Sequence, residues 1–430
     1  MATGPRGWRY HPQRDRLLAE AHARPYTPLC APMLVTRIAT LSGEDGAEVD
    51  RAHMRAICCR VGTAEPGPDA RWCALDAGAW RLRWERHTEF STWTFFRAPR
   101  QDVAFGESAL DLVPSDWLAE LPGDVLVAAH LEARERGSAV PSRLFGAEAS
   151  GARVMDDAAS VFSDFLPDGA GMTRFLLLSG HGSEPELIGR IARSLIEIET
   201  YRLMALLAFP LAAEATGALT GIEARAAALA GELVGKADAE EDRRLLAELA
   251  SLAGEAEALN ARTSFRFGAA SAYHDIVRDR IANLREAPIE GLQTLREFME
   301  RRLAPAMRTC DTVAMREKAV IERIARTEQM LNTRVEVAVE VTNQSLLASM
   351  DRRSDLQLRL QGTVEGLSVV AISYYAIGIL FYLMQAAAHV WQFDPKLATG
   401  LTAPLVIAAV WLALRRARAR MADHPAHPAD

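Results

Sequence analysis

Glu85, His87 and Glu89 alternate along a stretch rich in strand-forming residues, so on a single strand all three side chains project to one face. A histidine flanked by two carboxylates is a donor set for a divalent cation, the one cofactor that these residue types point to. The same alternation describes the solvated face of a half-buried strand, and the residues alone leave both readings open. His22 and Arg24 are candidates to join the set, although spacing does not place them there. His11, His130 and His181 are scattered, without the HExxH type of spacing, and read as structural. There is no Gly-x-Ser-x-Gly, and no cysteine in a recognisable nucleophile elbow. The glycines of Gly180-His181-Gly182 lack the lysine and hydroxyl pair that a phosphate loop needs. No catalytic residue is expected, and the chain is not expected to be an enzyme.

A second constellation lies near the C-terminus. Gln361, Glu365, Ser368, Tyr375 and Tyr382 recur at steps of three, four or seven, which puts them on one face of a helix. If several copies packed these helices together, that face would line a polar path. Glu365 would form a carboxylate ring at the cytoplasmic mouth and Asp394 one outside, both suited to cations. Interfacial anchoring is the plainer reading: tyrosines are common at membrane surfaces, and Glu365 then sits among headgroups. Gly362 and Gly366 permit close helix approach under either reading.

These residues need a long element to carry them. Between Pro305 and Gly362 there is neither glycine nor proline, and helix formers dominate, so one unbroken helix on the order of 80 Å is expected. No residue from Leu367 to Ala388 is charged, long enough to cross about 30 Å of hydrocarbon. A polar link, 389–396, leads to a second apolar run, 397–414, which contains Pro404. A re-entrant or interfacial second segment is the alternative to two spans. Arg352, Arg353 and Arg359 precede the first run and Arg415, Arg416, Arg418 and Arg420 follow the second, while the link holds only Lys396. Positive-inside counting therefore expects both termini in the cytoplasm, beneath a bacterial inner membrane. Ile324, Leu331, Val335, Val339, Thr342, Leu346 and Met350 form an apolar or small-residue stripe that wants a partner surface, in the same chain or in an identical neighbour. Its steps drift nearer to eleven than to seven, so a left-handed two-stranded coil is not demanded.

The rest of the 430 residues bounds the possibilities. A net charge of −7 without a dense basic patch argues against nucleic acid as a partner. Five cysteines without a CxxC pair read as reduced thiols, and Met1–Asp15 lacks the apolar core of a secretory signal. Residues 1–182 are expected to form a mixed α+β cytoplasmic domain. Its strands are 33–41, 71–75 and 80–89 (a hairpin), a continuation over 89–97, 125–131, and a second hairpin of 160–165 with 173–178. Residues 183–305 read as antiparallel helices opened by a Ser183–Glu186 capping box. A stalk (306–366), two spans (367–388 and 397–414) around a link (389–396) and a basic tail (415–430) complete the layout.

Several stretches resemble a bacterial family catalogued as a domain of unknown function, number 3422 in its series, and described as predicted membrane-anchored proteins. They are His22–Pro25, Trp84-Glu85-Arg86-His87-Thr88-Glu89-Phe90, Glu199-Thr200-Tyr201-Arg202, Arg266-Phe267, Arg301–Met307 and Leu358–Ser368. The resemblance spans nearly the whole chain and implies membrane anchoring rather than a chemistry. In order and proportion of segments the chain is also similar to the CorA-type magnesium transporters. That likeness implies a homo-oligomer, a pentamer in that family, with the first span lining a pore. Those transporters carry Gly-Met-Asn at the outer end of that span, where this chain reads Phe381-Tyr382-Leu383-Met384-Gln385, so the likeness carries layout and not magnesium selectivity. Two functions are then expected to compete: an oligomeric membrane protein that passes or senses a divalent cation, and a membrane-tethered interaction protein or scaffold whose hairpin only holds it at the bilayer.

Overall fold

The computed structural model describes residues 10–15, 17–18, 26–146, 148–233, 235, 238–391 and 394–422; the side chains of 44, 365, 388–391 and 417–422 lie outside that description. The chain divides into two units, Met1–Gln329 and Met330–Asp430.

The strands of the first unit are β1 Met33–Leu41, β2 Trp72–Asp76, β3 Arg81–Arg86, β4 Ser91–Arg97, β5 Asp124–Glu135, β6 Ser150–Val154, β7 Ala159–Ser163, β8 Thr173–Ser179 and β9 Ala287–Pro288. They join into one nine-stranded sheet in the order β2-β3-β4-β1-β5-β8-β7-β6-β9. Neighbours are antiparallel except β5 and β8, which run parallel. Both expected hairpins form. The expected continuous strand through residue 89 does not: His87 donates its backbone N–H to the Phe90 carbonyl (2.8 Å), closing a turn that folds β4 back on β3.

Every residue of β4 and all but the ends of β1 are buried, so these strands have no solvated face. Helices cover both sides. On one side Leu34, Ile38, Leu82, Trp84, Trp93 and Phe95 pack against Met54, Ile57 and Cys58 of α1 (Ala47–Val61) and Trp117 of α2 (Ser115–Ala119). Each such side chain contributes about 1.5–3 kcal/mol when fully buried, enough to make this the main core. The other side lies beneath α3 (Pro185–Leu206) and is lined by Val35, Arg37, Arg83, Glu85, Thr94 and Phe96, which makes it far more polar. At Gly189 of α3 a Cβ would stand 2.2 Å from the Thr27 carbonyl oxygen, so glycine is what lets residues 27–29 cross the helix there.

α4 (Ala208–Glu232) and α5 (Ala239–Leu284) complete the helical layer, α5 burying Leu245, Leu249, Leu252, Ala256, Leu259 and Thr263 at steps of three and four. The expected Ser183–Glu186 capping box is absent. Pro185 sets the first helical residue, Glu184 becomes the cap residue, and the Ser183 hydroxyl turns back to the carbonyls of Ala158 and Gly180 (both 3.0 Å). A capping box does form at α6 (Leu295–Arg302), between Thr294 and Glu297. β9 returns the chain to the sheet beside β6, so the helical segments and the sheet share one unit.

α7 runs from Ala304 to Trp391 without interruption, with Pro305 in its first turn and neither glycine nor proline from 306 to 361 to break it. Of the expected stripe, Ile324 and Leu331 are buried, whereas Val339, Leu346 and Met350 are exposed. α8 spans Pro395–Ala422 and keeps Pro404 inside it, where the missing N–H leaves the Gly400 carbonyl without its helical donor. Among the described residues three helical stretches are long and apolar enough to cross a membrane: Pro185–Glu232, Leu295–Ala387 and Pro395–Arg416. In the first, 33% of the most apolar window is buried within the fold, against 6% in each of the other two, so part of its surface already packs against protein.

Candidate functional site

The polar side of the sheet forms a charged seam with α3. Arg37 projects from the middle of β1 and donates through Nε to the Thr94 hydroxyl (2.9 Å). Arg83 and Glu85 stand two apart on β3 and therefore share that face; Arg83 donates to Glu85 Oε1 from Nε (3.1 Å) and Nη2 (2.7 Å). Arg37 and Arg193 approach Glu85 at 4.0 and 3.9 Å. One turn on, Arg193 Nε and Arg280 Nε donate to the two oxygens of Glu197 at 2.7 and 2.5 Å. A cavity of about 30 Å³ lies between Arg37, Arg83, Glu85 and Arg193, the size of a single water site.

Burial raises the Glu85 carboxyl, but Arg37, Arg83 and Arg193 more than offset it, and the group lies below the usual carboxylate range. Glu197 behaves alike: burial opposes its charge, and Arg193, Arg37 and Arg280 prevail. Both therefore stay ionised and hold the guanidinium groups in place. Since a buried ion pair only roughly breaks even against an apolar one, the seam specifies how α3 seats on the sheet more than it adds stability.

Beside the seam, the β3–β4 turn meets α3 and α5. Glu89, at the tip of the turn, accepts a bidentate pair from Arg266 (3.0 and 2.7 Å) and a hydrogen bond from the Tyr273 hydroxyl (2.8 Å). The His87 ring stacks on Phe90 with centroids 4.2 Å apart, edge-on to Tyr201, which itself stacks on Tyr273 at 5.6 Å. Together they frame an open groove of about 230 Å³. Burial pushes the Tyr201 hydroxyl up to about 12, with Glu197 adding to it. The Tyr273 hydroxyl is raised as well, by burial and by its bond to Glu89.

The expected donor set of Glu85, His87 and Glu89 is thus not assembled on one face. Glu85 points into the seam, His87 and Glu89 belong to the turn, and both carboxylates are engaged by arginines. Among the described residues no group of three or more His, Cys, Asp or Glu is arranged to hold a metal ion. Of the scattered histidines, His130 is buried and its Nδ1 pairs with the Thr36 hydroxyl at 3.2 Å. His22 and Arg24 lie outside the described residues. Sequence reasoning missed Arg37, Arg193, Glu197, Tyr201, Arg266, Tyr273 and Arg280 as parts of one site. Two signals were present: Arg37 stands inside the apolar strand Met33–Leu41, and Glu197 and Glu199 interrupt the isoleucine-rich buried face of α3.

In the second unit, Gln361 is exposed, and Tyr375 and Tyr382 are 70% and 72% exposed. The Ser368 hydroxyl donates to the Val364 carbonyl (2.9 Å) and so is satisfied by its own helix. Asp394 accepts from the Lys396 backbone N–H (2.9 Å), capping the start of α8. Glu365 belongs to α7, but its side chain is outside the described residues. Ser373 and Thr399 are buried. A cavity of about 540 Å³ is lined by Tyr374, Tyr375, Gly378, Phe381 and Tyr382 of α7 and Thr399 of α8.

Residues 9–421 match a family model described as a protein of unknown function (DUF3422). No curated protein matches the chain. No solved structure matches it either, so the CorA-type layout rests on the order and proportion of the segments alone.

Proposed function

The chain belongs to the DUF3422 family of proteins of unknown function, and from that premise we propose that it is a membrane-anchored protein whose C-terminal helices cross the bilayer and whose sheet-and-helix unit does its work at the cytoplasmic surface. One observation carries the reading. Over the uncharged stretch of α7, Leu367, Val370, Tyr374, Ile379 and Leu383 are 62–73% exposed, and Leu401 and Leu405 of α8 are 76% and 71% exposed. Apolar surface of that length and continuity is costly in water and fits hydrocarbon. The arginines that flank the two apolar runs orient both termini toward the cytoplasm of a bacterial cell. Pro404 is tolerable inside a spanning helix, where neighbouring groups re-satisfy the freed carbonyl. The apolar stretch in α3 and α4 stays with the first unit, because part of its surface is covered by the sheet and α5.

On this reading the hairpin tethers a rigid body held by the charged seam. Alkaline carbonate washing of membranes that contain the full chain tests it: the protein remains in the pellet. Release into the supernatant would contradict the anchoring.

A second reading has one observation in its favour, the exposure of Tyr375 and Tyr382 on the face that also carries Gln361 and Glu365. In a homo-oligomer, a pentamer if the arrangement is of the CorA type, that face could line a path for a divalent cation. Ser368 and Asp394 favour the tether, since both already satisfy backbone groups. Reconstituted flux of magnesium and manganese separates the two. The tether predicts no flux in the native chain, and the path predicts flux that falls in Glu365→Ala.

A further inference from the structure

The groove beside the β3–β4 turn holds polar groups that the seam does not use. Arg71 lines its rim, exposed, and its guanidinium has no ion-pair partner among the described residues. Tyr201 lines it deeper, and its hydroxyl has no hydrogen-bond partner among the described residues. Arg86, also on the wall, is spent elsewhere, donating to Asp50 (2.9 Å) and to the carbonyl of Thr88 (3.2 Å). Apart from Thr88, the remaining wall is aromatic or apolar: the stacked His87–Phe90 pair, Tyr273 and Ile276.

We propose that this groove is a binding site for a small planar aromatic ring carrying a single anionic group, a carboxylate or a phosphate monoester. His87, Phe90, Tyr201 and Tyr273 give the groove aromatic ring surface, on which a planar π-system packs stacked or edge-on. The free guanidinium supplies a charge-assisted contact for the anion. The Tyr201 hydroxyl, held protonated by its burial and by Glu197, donates to an acceptor on the ring or on the anion. At about 230 Å³ the groove is below the size of drug-like pockets, which limits the ligand to about one ring and one substituent. The site lies wholly in the first unit and is independent of the membrane reading.

Equilibrium dialysis tests the proposal, with the full chain in phosphatidylcholine nanodiscs and with phenyl phosphate and benzoate as separate probes. At least one probe binds saturably at one per chain, and which of them does so identifies the anion. Inorganic phosphate, which lacks the ring, and benzyl alcohol, which lacks the charge, do not displace it at equal concentration. Arg71→Gln weakens binding about tenfold or more, and Tyr201→Phe by about fivefold. Arg71 is exposed and Tyr201→Phe keeps the ring, and unchanged melting of both variants confirms that the fold is intact. The proposal is overturned if neither probe saturates, if both variants bind like the native chain, or if either competitor displaces the probe as well as the probe displaces itself.

Discussion

At the scale of single residues, the first unit is governed by carboxylates under helices. Glu85 is 2% exposed and faces three arginines, so Glu85→Gln leaves Arg37 and Arg83 short of charge in a buried site. Breaking one partner of such a group costs about 3–5 kcal/mol, readable as a loss of unfolding free energy in urea followed by tryptophan fluorescence. Glu85 and Glu197 both have folded-state values depressed below the usual range, so their stabilisation is fully present above the unfolded carboxylate value of about 4.3. It is lost as pH falls through the lower folded values. The melting-temperature gap between the native chain and Glu85→Gln should therefore hold steady from neutral pH down to about 5 and close below about 4; a gap that widens on acidification would refute this. Sequence alone showed Glu85 as one of an alternating trio because alternation is local. What it could not show is that α3 covers the face, which turns a solvated row into a buried ion cluster.

At the scale of elements, backbone constraints decide how the pieces seat. Gly189→Ala sets a methyl against the Thr27 carbonyl, and the resulting overpacking costs about 1–3 kcal/mol in the same urea measurement. Thr294→Ala removes the capping hydroxyl of α6 and costs about 1 kcal/mol. Ser183→Ala, by contrast, removes no helix cap, since that hydroxyl bonds the carbonyls of Ala158 and Gly180. Strands whose ends are marked by turn residues were legible: Met33–Leu41, the hairpin around Asp76-Ala77-Gly78 and the pair around Pro167-Asp168-Gly169 all form. The break at His87–Phe90 was not, because His-Thr-Glu carries no glycine or proline and β-forming residues continue on both sides. Pro185 explains the other miss: as the first helical residue it moves the cap to Glu184, one residue beyond the serine that the capping pattern points to.

At the scale of the molecule, the continuity of α7 and the two apolar runs were readable from composition alone, since neither depends on distant contacts. The groove was not readable, because it joins residues 71, 87, 201 and 273 from four separate segments. The central claim is that the uncharged stretch of α7 lies in hydrocarbon. It is tested most directly by replacing Tyr374 with cysteine in a chain whose Cys30, Cys58, Cys59, Cys73 and Cys310 are serine, then treating intact cells and broken membranes with a water-soluble maleimide. Tyr374 is 73% exposed in the isolated chain, so the chain's own packing does not shield it. The account predicts no labelling on either side of the membrane unless detergent is added; rapid labelling in broken membranes without detergent would contradict it.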